Sequence, residues 1–205
     1  PTRSAPAPRR GATRRRPASR HSQPGRCRRV LGAALSEALE AAALEQGATL
    51  EHTLLSAFLI LLFRHTGQED VAVRSSAGAG TVLRADLSGD PDFRDLVARV
   101  RTAAADALAH EVPADRMSEA LPAGSIPRIS FELRPGTAFD FDEMVRNFSG
   151  DLALAAVQAP DGITLNAVYD SDLYDGMRIA ETLDQLAALL RQAAASPAER
   201  IHTYS

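Results

Sequence analysis

The segment that most constrains the fold is a predicted helix with apolar residues on nearly every side. Thr49 is a favourable N-cap, Gly67 ends the pattern, and the stretch from Leu50 to His65 between them is almost continuously apolar. Such a helix has to be covered on all sides by other parts of the chain. Its longest apolar run, seven residues from Ala57 to Phe63, is far shorter than the ~18 residues that indicate a membrane span. The segment therefore predicts a domain with this helix inside it and no membrane span.

Helical periodicity and end signals predict further helices that can cover the central one. The pattern places Met177 on the inward face of the last of these helices, together with its leucines. The predicted helices run from Ala33 to Gln46, from Pro91 to His110 after an Asp90 cap, from Ala114 to Leu121, and from Gly176 to Ala195 after an Asp175 cap.

Short apolar or alternating runs between the helices predict about five strands. Pro160-Asp161-Gly162 is a strong hairpin signal between two of them, because Asp-Gly favours a tight turn with positive φ. The order of the elements indicates an α/β fold in which helices pack on a mixed sheet. The predicted strands are Val71 to Val73, Thr81 to Leu87, Arg128 to Leu133, Leu152 to Gln158, and Ile163 to Tyr169.

The N-terminal 29 residues differ in composition from the rest of the chain. They contain ten Arg, five Pro and no acidic residue, which leaves 13 Arg against 26 acidic residues in 30–205, a formal charge of −13. We expect residues 1–29 to be a disordered Arg/Pro-rich linker and 30–205 to be the folded domain. An arm that binds nucleic acid is a weaker alternative, since no aromatic residue lies among the arginines. Cys27, flanked by arginines, is expected to be a passive linker cysteine, and the Pro1 start indicates a piece of a longer polypeptide.

The residues offer only one candidate for catalysis. His110 lies one helical turn after Asp106, so this carboxylate could orient its imidazole as a general base requires. The competing interpretation is an exposed histidine placed favourably at a helix C-terminus. His52 and His65 are expected to be solvated residues at the ends of the central helix, and the loop Gly78-Ala79-Gly80 is expected to be a turn rather than a phosphate-binding loop.

The sequence predicts no metal site and no directly bound cofactor. It contains no His-x-x-x-His pattern, and its single cysteine excludes both an intrachain disulfide and a cysteine zinc site. With no signal-peptide core after the N-terminal arginines, the expected location is the cytoplasm.

The order of several motifs resembles the condensation domains of nonribosomal peptide synthetases. Phe63–Val73 is similar to the family's T-G-Q-x-D-V-x-V stretch, and Leu83–Phe93 to its L-R-x-D-L-S-G-x-P-x-F pattern. His110–Asp115 occupies the place of the family's H-Q-D-x-P-F-E motif. Further similarities follow in Ile126–Leu133, Ser149–Leu154 and Val168–Asp175.

This resemblance implies a single lobe of the chloramphenicol-acetyltransferase type, corresponding to the second of the two lobes in the family. The family's activity is amide formation between substrates carried on phosphopantetheine arms, and its H-H-x-x-x-D-G motif lies on the first lobe. No pair of adjacent histidines occurs in this chain, so no residue can be assigned as the family's catalytic histidine. The link from Ser75 to Thr81 is also much shorter than the family's.

The leading hypothesis from the sequence is a truncated, non-catalytic lobe that serves as an interaction platform in peptide synthesis. Its expected partners are adjacent adenylation and carrier domains or a tailoring enzyme, with self-association as a further expectation. The alternative is a lobe that completes an active site with a histidine-bearing partner lobe.

Overall fold

The computed structural model describes residues 23–78, 82–109, 127–136 and 139–204, which form six strands and five helices. The helices are α1 (Ala33–Glu45), α2 (Leu50–Thr66), α3 (Phe93–Ala109), α4 (Phe141–Arg146) and α5 (Gly176–Ala195). The strands are β1 (Gly25–Gly32), β2 (Asp70–Ser75), β3 (Val82–Asp86), β4 (Ile129–Pro135), β5 (Leu152–Ala159) and β6 (Gly162–Tyr169).

The strands form one mixed sheet in the order β1-β6-β5-β4-β2-β3. The pairs β4–β5 and β2–β4 are parallel, and the remaining neighbours are antiparallel. The predicted hairpin is confirmed: Ala159 pairs with Gly162, whose φ of 126° requires glycine. The predicted α/β fold, in which helices pack on a mixed sheet, is also confirmed.

The central helix α2 is buried as the sequence predicts. From Thr53 through Leu62 its residues are all buried, and α1, α3 and α5 pack around it. Its Phe58 ring lies 5.9 Å from the ring of Phe131 on β4, measured between centroids, so α2 also lies directly on the sheet. We call the side of the sheet that carries Phe131 the helical face.

The opposite side of the sheet, which we call the outer face, is far less covered. In β2, Val71 and Val73 are buried on the helical face, whereas Asp70, Ala72 and Arg74 are exposed on the outer face. The register places Ser130 of β4 on the outer face as well, next to Arg74. Among the described helices, the short helix α4 lies on this face. Arg26, an outer-face residue of β1, donates a hydrogen bond to Asp142 of α4 and packs over the ring of Phe141 in the same helix.

The structure corrects the predicted boundary between tail and domain. Gly25 to Arg29 belong to β1, which pairs with β6 along its whole length, so the prediction of disorder was wrong for these residues. Cys27 is accordingly a half-buried strand residue packed against the core rather than a linker cysteine. The reason is the alternation of β1, in which Cys27, Arg29 and Leu31 share the helical face. Residues 1–22 lie outside the described residues, and their disorder stays a prediction.

Smaller differences concern helix ends. Met177 is 74 % exposed, not inward-facing, because it lies in the first turn of α5 beyond the edge of the core. Helix α3 begins at Phe93, and Asp92, rather than Asp90, accepts the capping hydrogen bond, from the N–H of Asp95 at 2.8 Å. The α4 helix was not predicted, and the predicted helix from Ala114 to Leu121 lies outside the described residues.

The phenol of Tyr169 is held between two glycines, which gives a stability prediction. A Cβ on Gly176 would lie 2.7 Å from the Tyr169 hydroxyl oxygen but 3.9 Å from its Cζ, whereas a Cβ on Gly25 would lie 2.3 Å from Cε2 and Cζ. We expect Gly176→Ala to destabilise the protein by about 1–3 kcal/mol through overpacking. In a Tyr169→Phe background this cost should vanish, because the clashing oxygen is gone.

Gly25→Ala is the matched control, since its clash is with the ring itself and should persist with Tyr169→Phe. Urea denaturation of the wild type, the three single variants and the two double variants measures the coupling. Equal costs for Gly176→Ala in both backgrounds would contradict the packing described.

A second prediction concerns pH, because His52 completes a capping box at the start of α2. Its Nδ1 accepts a hydrogen bond from the Thr49 N–H at 3.3 Å, and its own N–H donates to the Thr49 hydroxyl at 3.2 Å. Burial, with a smaller contribution from the Arg101 guanidinium, lowers the pKa of His52. The His52 imidazole is therefore protonated more readily in the unfolded chain than in the folded one. The stability that neutral His52 contributes is present above pH ~6.5 and is lost as the pH falls below that value.

His52→Gln should flatten this part of the pH profile, because a glutamine at this position accepts the same hydrogen bond without titrating. His65→Gln, at the exposed end of the same helix, is the control. Urea titration measures the free energy of unfolding at several pH values between 5 and 8. A pH profile unchanged by His52→Gln would exclude a pH-dependent capping role for His52.

Candidate functional site

A cavity of about 580 Å³ opens on the outer face of the sheet, between strands β2, β4 and β5 and the α4 segment. Side chains of opposite charge, hydroxyl groups and several apolar residues share its lining. The members that bear on its chemistry are Arg74, Ser76, Arg128, Ser130, Glu132, Arg134, Glu143, Met144, Asn147 and Phe148.

The three arginines of the cavity differ in their partners. The Nε of Arg134 lies 2.9 Å from Glu132 on the same strand, and the Nε of Arg128 donates to Asp151 at 2.7 Å. Arg74 forms no ion pair with any residue in the described part of the chain and is exposed on the outer face. Of the three, Arg74 is therefore the guanidinium that no described residue pairs with, and it can bind a carboxylate or phosphate group.

The serines at the end of β2 hold local structure. The Ser76 hydroxyl donates to the carboxylate of Glu51 on α2 and accepts from the N–H of Leu133 on β4 at 3.2 Å. The buried Ser75 hydroxyl accepts from the N–H of Ala77 at 3.2 Å. These bonds fasten the short 3-10 helix Ser76–Gly78 to a helix and a strand. Ala79 and Gly80 lie outside the described residues, so the turn expected at Gly78-Ala79-Gly80 stays a prediction.

Helix α4 covers one side of the cavity and is held by charged contacts. Asp140 caps it, accepting from the N–H groups of Asp142 at 2.8 Å and Glu143 at 3.2 Å. The Glu143 N–H is the largest of several causes that lower the pKa of Asp140. From α4, Asp142 reaches Arg26 of β1 at 2.9 Å.

Replacement of the cap should loosen the cavity wall. We expect Asp140→Ala to speed amide exchange in α4 while leaving the amides of β5 protected, because the two capping bonds are lost and the sheet is not touched. Asp140→Asn keeps a capping oxygen and is the control. Hydrogen exchange read by mass spectrometry tests this, and an α4 that exchanges equally in both variants would contradict the capping role.

The structure does not bring the predicted catalytic pair to this cavity. Asp106 is exposed on α3, which packs on the helical face, and His110 lies outside the described residues. His52 and His65 are also on the helical side, in α2. Within the described ranges, no group of three His, Cys, Asp or Glu side chains is arranged to hold a metal ion.

No single described helix is long and apolar enough to cross a membrane. Helices α1 and α2 together reach the required length and composition, but they bend by 103° at the break between them.

Comparison with known proteins identifies the family. The family model described as "Condensation domain" matches residues 4–205. The chain belongs to the condensation domain family.

Curated relatives of this condensation domain chain are very large synthetases. A linear gramicidin synthase protein of Brevibacillus parabrevis is 30 % identical over 212 residues, covering 83 % of this chain and 4 % of its own length. Phosphinothricin tripeptide synthetase PhsB of Streptomyces viridochromogenes is 30 % identical over 214 residues, covering 87 % of this chain and 18 % of its own length. The chain thus spans a small part of the curated relatives it matches.

Solved structures show the same fold. The X-domain in the complex with OxyB from teicoplanin biosynthesis has a TM-score of 0.77 at 23 % identity, covering 94 % of this chain and 50 % of its own. The first condensation domain of the CDA synthetase has a TM-score of 0.70 at 18 % identity, covering 89 % and 48 %. This condensation domain chain therefore corresponds in length to about half of these structures.

Sequence reasoning missed the cavity. Strand β4 alternates polar and apolar residues, and only the apolar ones were used to predict the strand. The polar residues Ser130, Glu132 and Arg134 were the sequence signal for the cavity. Arg74 and Ser76 are separated from this strand by more than fifty residues, so only the parallel pairing of β2 with β4 brings them together.

Proposed function

We propose that this chain is a non-catalytic condensation-domain lobe that serves as an interaction platform in nonribosomal peptide synthesis. The observation that carries the proposal is the lining of the outer-face cavity, which offers guanidinium, hydroxyl and carboxylate groups but no imidazole among its described residues. The whole sequence also has no pair of adjacent histidines, which the resemblance places at the centre of the family's catalytic motif. A site of this composition can bind and orient a polar group, but its described residues include no histidine, the base that general base catalysis of amide formation usually employs.

The X-domain supports this function by its fold. That protein shares the fold of this chain and has been solved in a complex with OxyB from teicoplanin biosynthesis. Its example shows that a condensation-type fold can form a complex with another protein of a biosynthetic system. By analogy of fold, we infer that the partner of this chain is an adjacent adenylation or carrier domain or a tailoring enzyme. A cytoplasmic location remains an expectation from the sequence.

The outer-face cavity favours a second candidate function. Its volume of about 580 Å³ lies within the range of small-molecule sites, and Arg74 is free to bind an anionic group there. In this alternative, a histidine-bearing partner lobe covers the outer face and supplies the base for amide formation. The phosphopantetheine arms of carrier proteins would then bring in the substrates, and no cofactor would be bound directly.

Nucleic-acid binding through the arginine-rich N-terminus is the weakest candidate. Arg26 and Arg29 are already paired with Asp142 and Asp184 in the folded domain. Any such binding would rest on the remaining arginines and should weaken strongly with salt.

The test of the proposed function uses the full chain with carrier proteins loaded with aminoacyl groups. We expect no peptide product above the uncatalysed background, and we expect binding to at least one neighbouring adenylation, carrier or tailoring protein by calorimetry. Amide formation that disappears in His110→Ala would show that the chain is an enzyme by itself. Product formed only after addition of a histidine-bearing first lobe, and reduced by Arg74→Glu, would establish the alternative. A complete lack of binding would refute the platform role.

A further inference from the structure

Strand β3 ends the sheet, and no other strand pairs with its outer edge in the part of the chain that the structure describes. The N–H of Leu87 donates to the carbonyl of Glu69 at 2.7 Å, which fixes the phase of the antiparallel pairing with β2. Because hydrogen-bonded and non-hydrogen-bonded pairs alternate, the backbone groups of Val82, Arg84 and Asp86 point away from β2. A guanidinium nitrogen of Arg99 reaches the Asp86 carbonyl at 2.8 Å, as expected for an oxygen that β2 does not use.

The side chains along this edge carry both signs of charge. Arg84 and Asp86 lie on the outer face, and Arg84 forms a two-pronged contact with Asp70 of β2. Between them, Ala85 is small and lies on the helical face. An edge with a positive and a negative residue two positions apart matches an antiparallel copy of itself better than it matches a strand of one charge.

One register satisfies both the charges and the backbone. With Ala85 on a two-fold axis, Arg84 of each copy faces Asp86 of the other, and their outward N–H and C=O groups form a hydrogen-bonded pair. The same register places Leu83 beside Leu87, which are fully buried under the helices of their own copy. Registers centred on Arg84 or on Asp86 would place like charges opposite each other. The Asp86 carbonyl has a second lone pair for this contact in addition to the one that Arg99 uses.

We propose that two copies of this chain pair through their β3 edges, antiparallel and with Ala85 on the two-fold axis, so that their six-stranded sheets join into one. This association is independent of whether the lobe is catalytic. The interface is a single strand pair, so we expect a weak dimer that forms only at high protein concentration.

Two charge variants test the register directly. Arg84→Glu makes the edge acidic and Asp86→Arg makes it basic, so each variant alone should associate at least ~10-fold more weakly than the wild type. A mixture of the two should form a heterodimer, because every facing pair then has opposite charges. Arg191→Glu on the exposed surface of α5 makes the same charge change as Arg84→Glu and should leave the dimer intact.

A backbone variant tests the hydrogen bonds. Arg84→Pro removes an N–H that points to the free edge and costs no bond to β2, whereas Arg84→Ala loses only the side chain. We expect Arg84→Pro to be the more monomeric of the two by sedimentation equilibrium, with circular dichroism confirming that both are folded. A wild-type chain that remains monomeric up to about 200 µM, or a mixture of charge variants that forms no heterodimer, would overturn the proposal.

Discussion

The burial of α2 is the constraint on which the rest of the structure depends. Eleven of its seventeen residues are buried, and a helix with no polar stripe to present to water needs neighbours on every side. The sheet supplies one side through Phe131, and α1, α3 and α5 supply the others. Because these helices all gather on the helical face to cover α2, the outer face keeps only the short α4 among the described helices. The cavity and its free arginine are a consequence of this unequal covering.

Much of this architecture could be predicted from the sequence, because the strongest local signals agree with the tertiary contacts. The all-round apolar pattern of α2, the Asp-Gly hairpin at Gly162 and the Asp175 cap of α5 each correspond to one local geometry with no good alternative. Strand β1 was missed because its helical-face positions include Arg29, which pairs with Asp184 of α5 and so lies on that face without being apolar. The six residues of α4 are too few to show a helical period.

The candidate site was beyond sequence reasoning for a topological reason. Strand β4 is ordinary by itself, since a polar residue at every second position is common in a half-covered strand. Only the order β5-β4-β2 makes neighbours of Ala153, Ser130 and Arg74, which are up to about eighty residues apart in the chain. Parallel strands are joined by crossover connections through other elements, so no local sequence motif predicts their pairing.

The charges on the outer face show how this surface divides into parts with different capacities. Exposed ion pairs add little to stability. The Arg84–Asp70 and Arg134–Glu132 pairs therefore matter mainly because they determine which charged groups of this face remain open to a partner or a ligand. At the β3 edge, Arg84 and Asp86 lie two positions apart on the same face, so the edge presents both signs of charge in a self-complementary order. One strand further in, Arg74 has no such partner among the described residues, and its guanidinium faces the cavity. Adjacent strands of one sheet thus offer a strand edge suited to a second copy and a pocket suited to an anionic group, and occupation of the edge need not block the pocket.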